Sequence, residues 1–170
     1  MIRKSGFGGG CHWCTEAVFA SLRGVKSVQQ GWIASEGEFA TFSEAVVVTF
    51  DPSKIGYDKL IEIHLYTHSC TSEHSMRDKY RSAIYTFNES DLEKASELLS
   101  EFQNEFDEPI VTKVLRFCDF QLNREESLNY YFNDPEKPFC ERYINPKLQL
   151  LMDQFSETTN FEKLQHLKSK

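Results

Sequence analysis

A predicted strand and a predicted helix meet at the segment Gly8-Gly9-Gly10-Cys11-His12-Trp13-Cys14-Thr15-Glu16. Three consecutive glycines allow a sharp turn or a close approach of the backbone to a ligand, and they bring Cys11 to the start of the helix. A helix N-terminus lowers the pKa of a cysteine, because unpaired backbone N–H groups and the helix dipole favour the thiolate. We therefore predict that Cys11 is a nucleophile rather than a buried structural cysteine.

The second cysteine of the segment is predicted to share a helix face with the first. The helix is predicted over 11–22, and its spacing puts Cys11, Cys14, Val18 and Leu22 on one side. A Cys-x-x-Cys pair occurs in dithiol oxidoreductases and also in zinc sites. Cys14 is therefore open to three interpretations, as a partner thiol, a metal ligand or a packing residue.

The other elements indicate an α+β fold. Strands are predicted at 2–7, 25–34, 44–50, 81–87 and 110–117, and helices at 57–68, 90–104, 125–132 and 148–155. The first six elements read β-α-β-β-α-β, the order of a split βαβ (ferredoxin-like) plait. We predict a two-layer sandwich with a mixed, mainly antiparallel sheet, extra helices and a long coil C-terminal segment.

Composition excludes several function classes. The 170 residues suffice for a single catalytic domain, predicted over 1–156, with a tail over 157–170. The chain has no apolar run of the length of a membrane span or a signal peptide, so we expect a cytoplasmic protein without membrane contact. With 19 Lys and Arg against 26 Asp and Glu, the net charge of -7 argues against nucleic acid as a partner. Five cysteines in a cytosolic chain are expected to be thiols, and any disulfide to be transient and catalytic.

Glu44 is a candidate general acid. It lies in line with Val46, Val48 and Phe50, which are predicted to face the core, and an apolar setting makes a carboxyl hold its proton more firmly. The alternative is that Glu44 lies at the exposed end of its strand, which is the more common position for a glutamate.

A separate cluster of possible metal ligands follows the second predicted helix. His64, His68, Cys70 and His74 have the spacing His-x3-His-x-Cys-x3-His, and the first two lie one helical turn apart, as metal ligands often do. This spacing matches no established zinc pattern, so a zinc-binding module is kept only as an alternative function.

A general dithiol–disulfide oxidoreductase that uses Cys11 and Cys14 is the other alternative. A thioredoxin-like chain would place its Cys-x-x-Cys after an earlier β-α-β unit, and it would need a cis-proline loop nearby. Neither feature is visible in this sequence, which argues against that function.

Three motifs occur in the order found in a known family: Gly10-Cys11-His12-Trp13-Cys14, Ser43-Glu44-Ala45-Val46-Val47-Val48-Thr49-Phe50-Asp51-Pro52 and Tyr80-Arg81-Ser82-Ala83-Ile84-Tyr85. Over residues 7–147 the chain resembles the type A peptide methionine sulfoxide reductases. The resemblance implies an enzyme without a cofactor that reduces methionine S-sulfoxide, free or in peptides and proteins. It also implies a cysteine sulfenic acid and an intramolecular disulfide that thioredoxin reduces.

The resemblance assigns roles to four residues. Cys11 takes the place of the nucleophile, and Glu44 that of the glutamate that protonates or hydrogen-bonds the sulfoxide oxygen. Trp13 matches the wall that holds the substrate methyl group, and Tyr80 the tyrosine that binds the sulfoxide oxygen. We accordingly expect oxidised proteins, peptides or free methionine sulfoxide and thioredoxin as partners, and a monomer.

Three positions near the expected substrate pocket depart from the family pattern. His12 stands where the family usually has a phenylalanine, which makes one apolar wall amphipathic. Trp32 stands where many members have a tyrosine, so the oxygen site loses a hydroxyl. Asp78 lies two residues before Tyr80, whereas the family's aspartate lies five before, in a longer loop.

The thiol that resolves the sulfenic acid is left open between two cysteines. Cys14 is favoured by its proximity to Cys11, and Cys140 by its resemblance to a resolving cysteine near the carboxyl terminus. Cys140 is expected in an exposed, irregular segment, since two prolines precede it. A disulfide requires suitable Cα separation and side-chain direction, which the sequence does not specify.

Overall fold

A six-stranded sheet in the order β5-β4-β1-β3-β2-β6 forms the centre of the molecule. The computed structural model describes residues 1–168, with Lys168 described by its backbone alone. The strands are β1 (Arg3–Gly8), β2 (Val25–Ala34), β3 (Ser43–Phe50), β4 (Ala83–Thr86), β5 (Lys113–Arg116) and β6 (Asp119–Leu122). The pair β4–β5 is parallel and the other four pairs are antiparallel. The prediction of an α+β fold with a mixed, mainly antiparallel sheet is confirmed.

The described residues form six α-helices around this sheet. They are α1 (His12–Ala20), α2 (Tyr57–Thr67), α3 (Glu89–Phe102), α4 (Tyr130–Asn133), α5 (Asn145–Gln154) and α6 (Gln165–Lys168). A five-residue π-helix, Cys140–Ile144, leads directly into α5. No helix within residues 1–168 combines the length and apolar character that crossing a bilayer requires.

Strand β3 separates two apolar clusters, because its side chains alternate between the faces of the sheet. Val46 and Val48 belong to the large core that includes residues of α1 and α2, while Ala45 and Val47 pack in a smaller cluster on the opposite face. Glu44 lies on the same face as Val46, two residues before it, and its carboxyl reaches the backbone of α1. The strand thus brings a buried carboxyl to the start of the first helix.

Helix α1 packs the predicted face into the core. Cys14 and Val18 are buried members of the large core, as is Leu22 just beyond the helix, and Cys11 packs at its edge. The helix begins at His12 with Cys11 as its N-cap residue. The chain therefore delivers Cys11 at a helix start, as the glycine run predicts.

One local prediction is wrong, and one strand was missed. The helix predicted over 125–132 is replaced by a 3-10 turn, Glu125–Ser127, and the single-turn α4. Asn129 interrupts it with a positive φ of 53°, and the N–H groups of Asn129 and Tyr130 donate to the carboxylate of Glu16 instead. Strand β6 was not predicted, because it is a largely exposed four-residue edge strand.

The C-terminal segment packs more closely than a long coil. A 3-10 turn (Phe161–Leu164) continues into α6, and Leu164 and Leu167 join the large core. Thr159 forms an antiparallel bridge with Leu22. These contacts cover the end of α1 that lies away from Cys11.

Candidate active site

The turn between β1 and α1 passes so close to the His68 ring that only glycine fits there. Gly9 has φ of 156°, and a Cβ atom there would lie 2.4 Å from Cδ2 of His68. After this turn the carbonyl of Cys11 accepts hydrogen bonds from the N–H groups of Cys14 (3.1 Å) and Thr15 (3.2 Å). The glycine run thus fixes Cys11 at the N-cap of α1.

The two cysteines of this segment form a thiol pair with unequal acidity. The pKa of Cys11 is held below its ordinary value, first by a hydrogen bond from the Cys14 thiol and then by the backbone N–H of Trp13. Burial and the negative charge of Glu44 oppose this effect. The same thiol–thiol bond, together with burial, raises the pKa of Cys14 far above its ordinary value. Cys11 is therefore the more acidic thiol of the pair, and Cys14 is the donor to it.

A cavity of about 450 Å³ lies against this pair. Cys11, Cys14, Tyr80, Phe139 and Lys147 line it, and none of the described lining residues is a carboxylate. The Lys147 ammonium donates to the carbonyl of Thr67. Burial lowers the pKa of Lys147, while the two nearby thiols act in the opposite direction.

The loop before β4 brings Tyr80 into this cavity. Arg77 ties the loop to the glycine turn, since its Nη1 donates to the carbonyls of Gly9 and Tyr80, both at 2.9 Å. The neighbouring Lys79 makes a hydrogen bond with the side chain of Tyr80, which raises the pKa of Lys79. Its Nζ also lies 3.7 Å from Oε2 of Glu44. Lys79 therefore links Tyr80 to the glutamate.

Glu44 lies with His12 and Trp32, and none of the three lines the cavity. The Oε1 atom of Glu44 accepts the backbone N–H of His12 at 3.3 Å and lies 3.4 Å from Nε2 of its ring. Trp32 is the cross-strand partner of Glu44 and presents its ring to His12 in an edge contact at 5.2 Å. His12 and Glu44 are each 6% exposed. The predicted site residues thus form two groups, one around the cavity and one around Glu44.

Trp13 and Asp78 also lie outside the cavity lining. The Trp13 ring stacks on Tyr130 with centroids 3.9 Å apart and nearly parallel planes, and its edge meets Phe139. Asp78 is exposed at the end of a short 3-10 turn, Ser75–Asp78. One face of the Trp13 indole is therefore covered by another aromatic ring, and Asp78 is exposed outside the cavity.

Cys140 is fully buried, so its expected exposure is wrong. The π-helix turns it into the core, where its thiol donates to the carbonyl of Asp134 at 3.6 Å. Proline-rich spacing alone did not reveal this because the segment closes into a helix that continues α5. Cys140 does not line the cavity beside Cys11.

The histidines of the proposed zinc cluster are used for other contacts. His64 and His68 stack with ring centroids 4.1 Å apart, and His64 Nε2 donates to the carbonyl of Gly8 at 2.8 Å. His68 donates through Nδ1 to the carbonyl of His64 and accepts from the Ser82 hydroxyl at 2.8 Å. His74 is exposed and caps the N–H of Met76. Within residues 1–168, no three His, Cys, Asp or Glu side chains, Cys70 included, are grouped as metal ligands.

Sequence reasoning missed three polar residues of the site region. Lys79 brings positive charge to the group around Glu44, and Lys147 brings it to the cavity. Asn123, the residue after β6, contacts the His12 ring. The position of Lys79 next to Tyr80 was the one available signal. Asn123 follows a strand that was not predicted, and nothing in the sequence around Lys147 points to a cavity.

Comparison with known proteins identifies the family of the chain. The family model described as "Peptide methionine sulfoxide reductase" matches residues 3–160. The peptide methionine sulfoxide reductase MsrA of Deinococcus radiodurans is 34% identical over 167 residues, covering 89% of this chain and 81% of that protein. MsrA of Trichodesmium erythraeum is 32% identical over 173 residues, covering 92% and 98%.

Solved structures share the fold at lower sequence identity. Methionine sulfoxide reductase A of Corynebacterium diphtheriae has a TM-score of 0.69 and 21% identity, covering 79% of this chain and 76% of that one. Mxr1 of Saccharomyces cerevisiae in complex with Trx2 has a TM-score of 0.61 and 19% identity, covering 76% and 84%. With the family model spanning nearly the whole chain, the protein belongs to the peptide methionine sulfoxide reductase family of oxidoreductase enzymes.

Proposed function

We propose that this protein reduces methionine S-sulfoxide, free or in peptides and proteins, to methionine. The observation that carries the proposal is the Cys11–Cys14 pair, in which a hydrogen bond from Cys14 lowers the pKa of Cys11, at the edge of a cavity of about 450 Å³. An acidic thiol next to a mostly apolar cavity suits attack on a sulfur atom that carries apolar substituents.

In the proposed reaction, the Cys11 thiolate attacks the sulfoxide sulfur and Glu44 protonates the sulfoxide oxygen. The thioether leaves, and Cys11 becomes a sulfenic acid that retains the oxygen. Electrostatics support this pairing of roles, because the negative charge of Glu44 raises the pKa of Cys11. The thiolate is therefore favoured when Glu44 carries its proton, which is the state needed for attack.

The polar residues around the oxygen are proposed to hold it for this transfer. Tyr80 lines the cavity, and Lys79 contacts both Tyr80 and Glu44, so a sulfoxide oxygen between the two groups would meet several donors. Trp13 is proposed as the wall for the substrate methyl group, using the indole face opposite Tyr130. His12 and Trp32 are proposed to shape the pocket beside Glu44, whereas a substrate role for Asp78 stays a prediction.

Cys14 is the proposed resolving thiol. It already contacts Cys11, so its sulfur can attack the sulfenic acid, release water and form the Cys11–Cys14 disulfide. Cys140 is buried and bonded to a carbonyl, which makes it the weaker candidate. We propose thioredoxin as the reductant of this disulfide, supported by the complex of Mxr1 with Trx2 among the structures of similar fold.

Several broader predictions accompany this function. We propose a cofactor-free, monomeric, cytoplasmic enzyme whose catalytic domain spans 1–156. The strand order β4-β1-β3-β2 inside the sheet supports a split βαβ plait as the core of the fold.

The test of this function is turnover of the two resolved epimers of methionine sulfoxide with dithiothreitol or thioredoxin. We expect reduction of the S epimer by the wild type, loss of it in Cys11→Ser, and retention in Cys118→Ser, which changes an exposed cysteine. Activity on neither epimer would reject the function, and activity on the R epimer alone would reject the stereochemistry. An active Cys11→Ser enzyme would reject the nucleophile.

The resolving thiol is tested by mapping disulfides after a single turnover without reductant. We expect Cys14→Ser to accumulate a sulfenic acid on Cys11 that dimedone traps, and Cys140→Ser to form the Cys11–Cys14 disulfide at the wild-type rate. Wild-type resolution in Cys14→Ser would exclude Cys14. An enzyme that reduces protein disulfides but no sulfoxide would instead favour a general dithiol oxidoreductase.

A further inference from the structure

His12 occupies a position where phenylalanine is the family's usual residue, and its ring makes specific polar contacts. Nδ1 lies 2.9 Å from the carbonyl oxygen of Gly31. A carbonyl only accepts hydrogen bonds, so Nδ1 carries a proton in this arrangement. In the neutral ring, the lone pair is therefore on Nε2.

Two groups face that Nε2 atom, and one of them is a fixed donor. Asn123 Nδ2 lies 3.4 Å away and also donates to Gln30 Oε1 at 2.6 Å. The Gln30 amide is oriented in turn, because its Nε2 donates to Glu16 Oε1 and to the carbonyl of Ser127, both at 3.0 Å. Asn123 therefore presents N–H, and not oxygen, to His12.

The second group is the carboxyl of Glu44, whose Oε1 lies 3.4 Å from His12 Nε2. A proton on this contact has two positions, on a carboxylic acid that donates to imidazole or on an imidazolium that donates to a carboxylate. Both residues are 6% exposed, so the contact is largely desolvated and its electrostatic interaction is stronger than in water. The contact can tighten when substrate binds, as catalytic hydrogen bonds often do.

Other charged groups around the pair are few and identifiable. Lys79 Nζ lies 3.7 Å from the other oxygen of Glu44 and contacts Tyr80, and the Cys11 thiolate interacts with Glu44 electrostatically. On the His12 side, the nearest carboxylate of that network is Glu16, beyond Gln30. Trp32 closes the ring edge with an apolar surface.

We propose that His12 and Glu44 share one exchangeable proton, so that His12 is a positioning residue that reloads the acid of the reaction. This inference rests on the proposed function. Glu44 gives its proton to the sulfoxide oxygen as the Cys11 thiolate attacks sulfur, which yields the thioether, the Cys11 sulfenic acid, the Glu44 carboxylate and neutral His12. His12 then takes up a proton from solvent at Nε2 and passes it to the Glu44 carboxylate, which restores the one shared proton.

The kinetic test is the pH profile of kcat/KM for His12→Phe, which restores the family residue, and for His12→Gln. We expect the alkaline fall to move to lower pH by about one unit, with about tenfold loss at a fixed alkaline pH and little change near pH 6. His12→Gln should match it, because glutamine keeps polar contacts without a titrating group. A loss by the same factor at every pH, or an unchanged profile, would overturn the proposal.

The deciding measurement needs no turnover, and it separates failure of this inference from failure of the proposed function. NMR of ¹⁵N-labelled histidine rings should show Nδ1 of His12 protonated throughout, with Nε2 titrating. In Glu44→Gln the Nε2 midpoint should fall by about one pH unit, because the anion that stabilises imidazolium is gone. Glu38→Gln, at an exposed glutamate, should leave it unchanged. An unmoved midpoint in Glu44→Gln, or a deprotonated Nδ1, would reject the shared proton even if the enzyme reduces sulfoxides.

Discussion

Histidines lie on both sides of the glycine turn that presents Cys11, and they differ in their partners. On one side, His12 faces the carboxyl of Glu44. On the other, His64 and His68 stack on each other, and their described hydrogen bonds go to backbone carbonyls and to two hydroxyls. Burial lowers the pKa of His64 to about 4, and it lowers that of His68 as well. These two histidines thus hydrogen-bond to neutral groups and are held in the neutral form, whereas His12 meets a carboxyl.

The largest effect on activity is expected when the carboxyl that faces His12 is removed. Glu44→Gln keeps the size of the side chain and its acceptor for the N–H of His12 but cannot deliver a proton. We expect kcat/KM for the S epimer to fall by about 100-fold to 1000-fold, the range of a lost general acid. Steady-state turnover measures this loss, and alkylation of Cys11 should persist, because the thiolate no longer faces a negative charge.

Glu38→Gln serves as the control for this variant, since Glu38 is exposed and lies outside the cavity beside Cys11. It should retain wild-type turnover. Glu44→Gln with more than about a tenth of wild-type kcat/KM would show that another group protonates the oxygen.

The opposite side of the turn should affect stability rather than proton transfer. The pKa of His64 is about 4 in the folded protein and 6.5 when unperturbed, so the unfolded chain binds a proton that the folded chain excludes. The free energy of unfolding should therefore fall as pH decreases from 6.5 towards 4. One histidine with this shift contributes about 3 kcal/mol over that window.

Urea unfolding of wild type and His64→Phe between pH 7 and 4 measures the contribution. Phenylalanine suits the aromatic surroundings of Phe7 and Phe19 but loses the hydrogen bond to the Gly8 carbonyl, so the variant should lose stability at pH 7. Because phenylalanine cannot titrate, the stability of the variant should also depend less on pH. His74→Gln, at an exposed histidine, should follow the wild-type curve. If the free energy of unfolding depended on pH equally in His64→Phe and wild type, His64 would not be held neutral by the folded protein.

Much of the fold was predictable because its signals are local. The valine-rich β3 and the glycine–cysteine start of α1 each combine an apolar period with a clear boundary, and both were predicted to within one residue at their starts. The stop at Asn129 was not predictable, because the helix there loses to hydrogen bonds with Glu16, which is more than 100 residues away in the chain. Edge strand β6 gains its ladder only from β2.

The candidate site divides in the same way. Motifs predict Cys11, Glu44 and Tyr80 as site residues, because each lies at or just before the start of a predicted helix or strand. The contacts that distinguish the two histidine sites join distant segments, as between His12 and Asn123 or His64 and Gly8. A spacing of His-x3-His describes both a metal site and a stacked pair, and only the third dimension separates them.

Lys147 allows a test of charge on the side of the turn where His64 and His68 lie, since no described ion pair involves these two histidines. Its charge lowers the pKa of Cys14. It also lowers the pKa values of His64 and His68, although burial has the larger effect on both. Lys147→Met should therefore slow attack of Cys14 on the sulfenic acid by about threefold to tenfold. Quenched single-turnover mapping of the disulfide gives the rate.

Lys147→Arg is the matched control, since it keeps a positive charge in the cavity. It should resolve the sulfenic acid faster than Lys147→Met. Equal rates in the two variants would show that the side chain acts through packing, and the charge of this side of the turn would then be irrelevant to resolution.

The smallest expected effect tests the donor that opposes proton sharing. Asn123 gives an N–H to His12 Nε2 and so favours the neutral ring, whereas Glu44 favours imidazolium. Asn123→Ala should therefore raise the Nε2 midpoint by a few tenths of a pH unit, opposite in sign to Glu44→Gln, and change alkaline kcat/KM about twofold. Losing the bond to Gln30 should also cost about 1 kcal/mol of stability.

Asn133→Ala removes an asparagine that donates to Leu128 and does not touch His12, so it should leave the midpoint in place. A midpoint that falls in Asn123→Ala would mean that the amide supports the imidazolium indirectly, and that Glu44 is not the ring's decisive partner.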